Sequence, residues 1–107
     1  MLDPLYDLFY LRRFDEVKSF LRRQIPVGQR VLGENSELSI KMGWIYGEAL
    51  YKADGATLEE LRESVETLED TARIARRVLG GAHPFTPCIE HRLREARAAL
   101  CAREASV

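Results

Sequence analysis

The chain has 107 residues, enough for one domain that buries roughly two thirds of the surface its unfolded form would expose. Its 16 basic and 17 acidic side chains nearly cancel and 46% of its residues are hydrophobic. That balance argues against a disordered polyelectrolyte and against a general attraction to nucleic acid. No apolar run approaches the roughly 20 residues of a bilayer span, and Met1-Leu2-Asp3-Pro4 lacks the basic flank and apolar stretch of a secretion signal. The expected setting is therefore cytoplasmic, intracellular and soluble. There the two cysteines, Cys88 and Cys101, stay reduced. Placed in one helix they are held about 20 Å apart along its axis and cannot pair.

In chain order, Asp3 as cap and Pro4 as first helical residue open a short helix over 4–12, carrying Leu5, Leu8 and Phe9. A break near Arg12-Arg13 is expected to separate it from a second helix over 14–32. That helix turns Val17, Phe20 and Leu21 inward, with Pro26 and Gly28 predicting a kink or a frayed turn. Ser36 caps a helix over 37–53, ended by Asp54-Gly55. Leu38, Met42, Ile45, Tyr46, Ala49 and Leu50 cover most of its circumference, as in a helix sandwiched between neighbours, and Lys41, Glu48 and Lys52 leave a narrow polar strip. Gly43 and Gly47, four apart, permit another helix to come close.

The clearest helix is that over 58–79. Leu58, Leu61, Val65, Leu68, Ala72, Ala75 and Leu79 follow at steps of three and four. Thr57 and Glu60 form a capping box, acidic residues lead and Arg73, Arg76 and Arg77 follow, and Gly80-Gly81 stops it. An i,i+4 pair of Glu69 with Arg73 is expected on its outer surface. For the last helix, over 87–103, Thr86 is the expected cap and Pro87 the first residue. Ile89, Leu93, Ala96 and Leu100 form its inward stripe, with fraying from Glu104 on.

An internal repeat organises these elements. Arg30-Val31-Leu32-Gly33 recurs as Arg77-Val78-Leu79-Gly80, an offset of 47 residues that also superposes Ser39 on Thr86 and Glu48-Ala49 on Glu95-Ala96. In each copy a long helix precedes the motif, and a short polar connector and another helix follow it. The repeating unit is a helix pair.

Phe14-Asp15-Glu16-Val17, Arg30-Val31-Leu32-Gly33 and the run Arg76-Arg77-Val78-Leu79-Gly80-Gly81-Ala82-His83-Pro84-Phe85-Thr86 resemble the tetratricopeptide repeats of kinesin light chains. There a unit ends in Val-Leu-Gly and the next opens with His-Pro-x-Thr. The resemblance spans nearly the whole chain as about two and a half units. It implies an all-α fold of antiparallel helix pairs stacked as a right-handed array, with the first helix of each pair lining a groove for peptides or protein segments. The paired asparagines typical of that family's groove are replaced here by Trp44-Ile45 and His91-Arg92. The family's peptide-reading residues are therefore not carried over.

Chemistry-bearing residues are sparse. Cys88 and His91 lie three apart on one helical face, but Cys101 is about two and a half turns beyond His91 and no Cys-x-x-Cys occurs, so no metal or other cofactor is expected. A Cys88 nucleophile with His91 as base lacks an orienting third group and an oxyanion donor, so the chain is not expected to be an enzyme. His83 reads as a helix-start residue. Trp44 is either core or a groove anchor. Two functional expectations follow. In one, a groove near Lys41, Trp44, Glu48, Arg92 and Glu95 holds a protein or peptide partner. In the other, the chain is a structural subunit whose apolar start (Leu5, Leu8, Phe9) packs on a second copy, giving a homodimer, or on a larger assembly.

Overall fold

Capping chemistry sets most of the helix boundaries. The computed structural model describes residues 14–106 apart from 34 and 54. Among these it forms four α-helices: α1 (Phe14–Leu32), α2 (Glu37–Lys52), α3 (Leu58–Val78) and α4 (Phe85–Ala105). The Ser36 Oγ accepts the Ser39 N–H at the start of α2. At α3 the capping box is complete, with the Thr57 N–H donating to Glu60 and the Glu60 N–H to the Thr57 hydroxyl, both at 3.1 Å. The expected helix over 4–12 and its contact residues Leu5, Leu8 and Phe9 lie outside the described residues.

The 47-residue repeat is a repeat of geometry. Gly33 and Gly80 both take the left-handed conformation (φ 84° and 88°) that ends a helix most cheaply in glycine. Each then uses its carbonyl in the same way. Gly33 O accepts the Ser36 N–H and the Ser39 hydroxyl; Gly80 O accepts the His83 N–H and the Thr86 hydroxyl, the two hydroxyl bonds both being 2.8 Å. Ser36 and His83 occupy matching positions of the repeat, and the His83 Nδ1 accepts the Phe85 N–H at 3.1 Å. His83 is thus the helix-start residue expected. Thr86 is not the cap: the helix begins at Phe85, and the Thr86 hydroxyl, fully buried, is turned back to the glycine.

Side-chain pairs give the helix directions. Arg22 with Tyr46 runs α1 against α2, Gly43 at Thr71 and Gly47 at Leu68 run α2 against α3, and Arg76 with Glu90 and Arg62 with Glu104 run α3 against α4. Consecutive helices are therefore antiparallel. Alternate helices run parallel, α1 beside α3 through Lys18 with Glu60, and α2 beside α4 through Glu48 with Arg92. The helices form two layers, α1 with α3 and α2 with α4. The core lies between them in two clusters, Val17, Leu21, Met42, Tyr46, Ala49 and Leu50 under α1, and Ile40, Val65, Leu68, Ala72, Ala75, Ile89, Leu93 and Ala96 under α3 and α4.

The close approach expected at the α2 glycines is present. A Cβ on Gly47 would stand 2.6 Å from Leu68 Cγ, and one on Gly43 2.6 Å from Thr71 Oγ1. The Ser64 hydroxyl uses the space to donate to Gly47 O at 2.6 Å. No frayed turn interrupts α1, which is continuous to Leu32 through Pro26 and Gly28, and Gly28 sits where a Cβ would meet Met42 Cε. Three other expectations are corrected. Phe20 is 37% exposed, not inward, because the side of α1 packed on the α2 cluster carries Phe14, Val17, Leu21 and Ile25. Arg73 pairs with Asp70 at 2.7 Å, leaving Glu69 to Arg97 across to α4. Finally, α4 continues to Ala105 and does not fray at Glu104, which Arg62 meets at 3.5 Å.

Candidate functional site

Because α2 and α4 run parallel in one layer, they share a face, and the residues expected at a groove sort themselves along it. Trp44 and Phe85 open the face, with ring centroids 5.5 Å apart. Trp44 is half-buried against the larger core cluster, so it is at once core edge and surface. Lys41 is half-buried, one helical turn before Trp44 and Ile45.

Glu48 lies next, and the structure changes its role. It was expected in a polar strip, yet it is only 3% exposed. A carboxylate so far from water must be compensated. Three donors converge on it: Arg92 Nε at 2.8 Å, Lys52 Nζ at 3.0 Å and Trp44 Nε1 at 3.2 Å. Arg92 also donates to Glu95 Oε1 at 2.8 Å, and the same oxygen accepts the Tyr51 hydroxyl at 2.6 Å. His91 Nε2 stands 3.7 Å from the other Glu95 oxygen. The Tyr51 hydroxyl and the Arg92 guanidinium hold the Glu95 carboxyl down at about 2. Burial and the Glu95 carboxylate push the Tyr51 phenol well above its usual range.

Of the five residues expected here, Trp44, Glu48, Arg92 and Glu95 form one connected network with Lys41 beside it. Tyr51, Phe85 and His91 were missed as members. The repeat aligns Glu48 with Glu95, but the side chains that meet are 44 residues apart, Glu48 to Arg92 and Tyr51 to Glu95. That offset of just under one helical turn from the repeat brings acid onto base. Only packing of α4 on α2 decides it; from sequence, the run of Tyr51 and Lys52 after Glu48 was the available hint.

Among the described residues no group of three His, Cys, Asp or Glu side chains is placed to hold a metal ion, and Cys88 and Cys101 are exposed free thiols. Nor is any helix among them long and apolar enough to cross a membrane. No protein-family model, curated protein or solved structure matches this chain.

Proposed function

We propose that the chain is a short array of the tetratricopeptide type and a non-enzymatic interaction module that holds a peptide or helix of a partner protein along the α2 and α4 face. One observation carries this reading. The aromatic pair Trp44 and Phe85 stands at the end of a charge network whose rotamers are fixed from beneath by buried Glu48. Such a surface has already lost the side-chain freedom that binding would otherwise have to remove. Aromatic and Arg side chains on a rigid base are also the residue types that dominate interface energies.

The chain's single tryptophan is in the site, which makes the test direct. Peptides selected from a display library on the wild-type protein should shift Trp44 emission on binding. They should lose affinity to Lys41→Glu and His91→Glu, which leave the helical circular dichroism signal intact. Binders that leave Trp44 emission unchanged and ignore both substitutions would refute the groove.

A second reading, a structural subunit of a homo-oligomer or a larger assembly, has its own support. Phe20, Val27, Val31, Leu32 and Leu38 remain exposed at the α1 side of the stack.

A further inference from the structure

The second copy of the repeat shows how a helix pair is sealed. Between α3 and α4, Arg76 reaches the Glu90 carboxylate with Nε at 3.0 Å and Nη2 at 2.8 Å. Moved back by 47 residues, these two positions are Gln29 of α1 and Gly43 of α2. The first copy therefore lacks the pair: a glutamine stands for the arginine, and the glycine has no side chain to answer it. Thr86 likewise has a methyl where its equivalent Ser39 has none. Gln29, Gly43 and Ser39 all line one cavity of about 360 Å³ between α1, α2 and α3. That volume falls at the small end of the range for small-molecule sites.

The walls define what fits. Each helix contributes an isoleucine, Ile25 from α1, Ile40 from α2 and Ile74 from α3, so the interior is apolar. The hydroxyls that reach it are committed elsewhere, Ser39 to Gly33 O, Thr71 to Thr67 O and Tyr46 to Glu63, and give a ligand no donor. Donors stand only at the rim. There Asp70, Arg73 and Arg77 follow along one stripe of α3. Arg73 neutralises Asp70 at 2.7 Å. Arg77 donates at 3.0 Å to the neutral side chain of Asn35, and among the described residues no acid pairs with it. Two cations against one acid leave a guanidinium with spare donors over an apolar space, which is complementary to an amphipathic anion.

We infer that this cavity binds a small carboxylic acid, with an aliphatic body of about six carbons among Ile25, Ile40 and Ile74 and its carboxylate on Arg77. The acid that Glu90 provides within the second copy comes, in the first, from the ligand. Enclosure by three helices favours a free acid over the end of a longer chain. Hexanoate titrated into the full chain should shift the Gly43 amide and the Ile40 and Ile74 methyl signals in NMR spectra, with a dissociation constant of about 1 mM. Hexanamide should bind about tenfold more weakly, and hexylamine more weakly still. Arg77→Gln, at an exposed site, should bring hexanoate down to the level of hexanamide and leave hexanamide unchanged. Gln29→Phe, which puts a ring into the cavity, should abolish binding of both with unchanged helical circular dichroism. No shifts at about 20 mM hexanoate, equal binding of the three probes, or shifts centred on Phe20 and Val27 instead would overturn the site. Hexanoate binding indifferent to Arg77→Gln overturns the carboxylate contact, and binding indifferent to Gln29→Phe overturns the location. An acetylated tetrapeptide ending in leucine that outcompetes hexanoate overturns the free acid in favour of a protein chain end.

Discussion

Removing Arg92 and removing Glu48 break the same contact, yet the structure predicts unequal costs. The Glu48 side chain is 4% exposed, whereas Arg92 and Lys52 are 31% and 32% exposed. In Arg92→Leu the carboxylate stays behind, out of water, with only Lys52 and the Trp44 N–H. Stripping a fully buried ion of its partner costs about 3–5 kcal/mol; with Lys52 still in place, about 2–3 kcal/mol is expected. In Glu48→Gln the volume and one acceptor remain, and both cations turn to solvent, so about 1 kcal/mol is expected. Once the Glu48 carboxylate is gone, Arg92 keeps only its half-buried partner Glu95, so the double variant should cost at least about 1 kcal/mol less than the sum of the two. Urea unfolding followed by circular dichroism measures all three. At about 4–8 °C per kcal/mol for a domain of this size, the single variants should also separate clearly on melting. Glu48→Gln proving as costly as Arg92→Leu, or strict additivity, would refute the account of Glu48 as the buried hub.

Gly47→Ala should destabilise by about 1–3 kcal/mol despite the better helix propensity of alanine, since its Cβ would meet the buried Leu68 side chain at 2.6 Å; a more stable variant by urea midpoint would disprove the close packing. Thr86→Val keeps the shape and loses the 2.8 Å bond to Gly80 O, with about 1 kcal/mol expected by the same assay. The folded Glu95 pKa, about 2, lies below the value of about 4.3 for an unfolded glutamate. Its stabilisation is therefore present above about pH 4.3 and lost as pH falls from there through 2. Urea midpoints taken across that range should fall more gently for Glu95→Gln than for wild type, and identical slopes would contradict the Tyr51 and Arg92 hydrogen bonds. Both thiols should react with a small disulfide reagent in the native protein, because Cys88 and Cys101 are exposed; protection of either would contradict its placement.

Local chemistry made the helices legible without coordinates. The capping box at Thr57 and Glu60, the Ser36 cap, the apolar stripe from Leu61 to Ala75 and the glycines Gly33 and Gly80 each act within a few residues, so their outcome is written in the sequence around them. The repeat was readable for the same reason, and the structure gives it content in the matched hydroxyl bonds of Ser39 and Thr86. What depends on a second element was not readable. Phe20 fits the α1 stripe by spacing alone, but which arc of α1 meets α2 is settled by where Met42 and Tyr46 stand. Glu48 looks like a surface acid beside Lys41 and Lys52 until α4 arrives and seals it under Arg92. The slide of α4 along α2, which pairs Glu48 with Arg92 rather than with its repeat equivalent, is a property of two packed helices. A periodicity within one chain segment carries no information on that slide, and so the helix pair was settled by sequence and the charge network by tertiary contact.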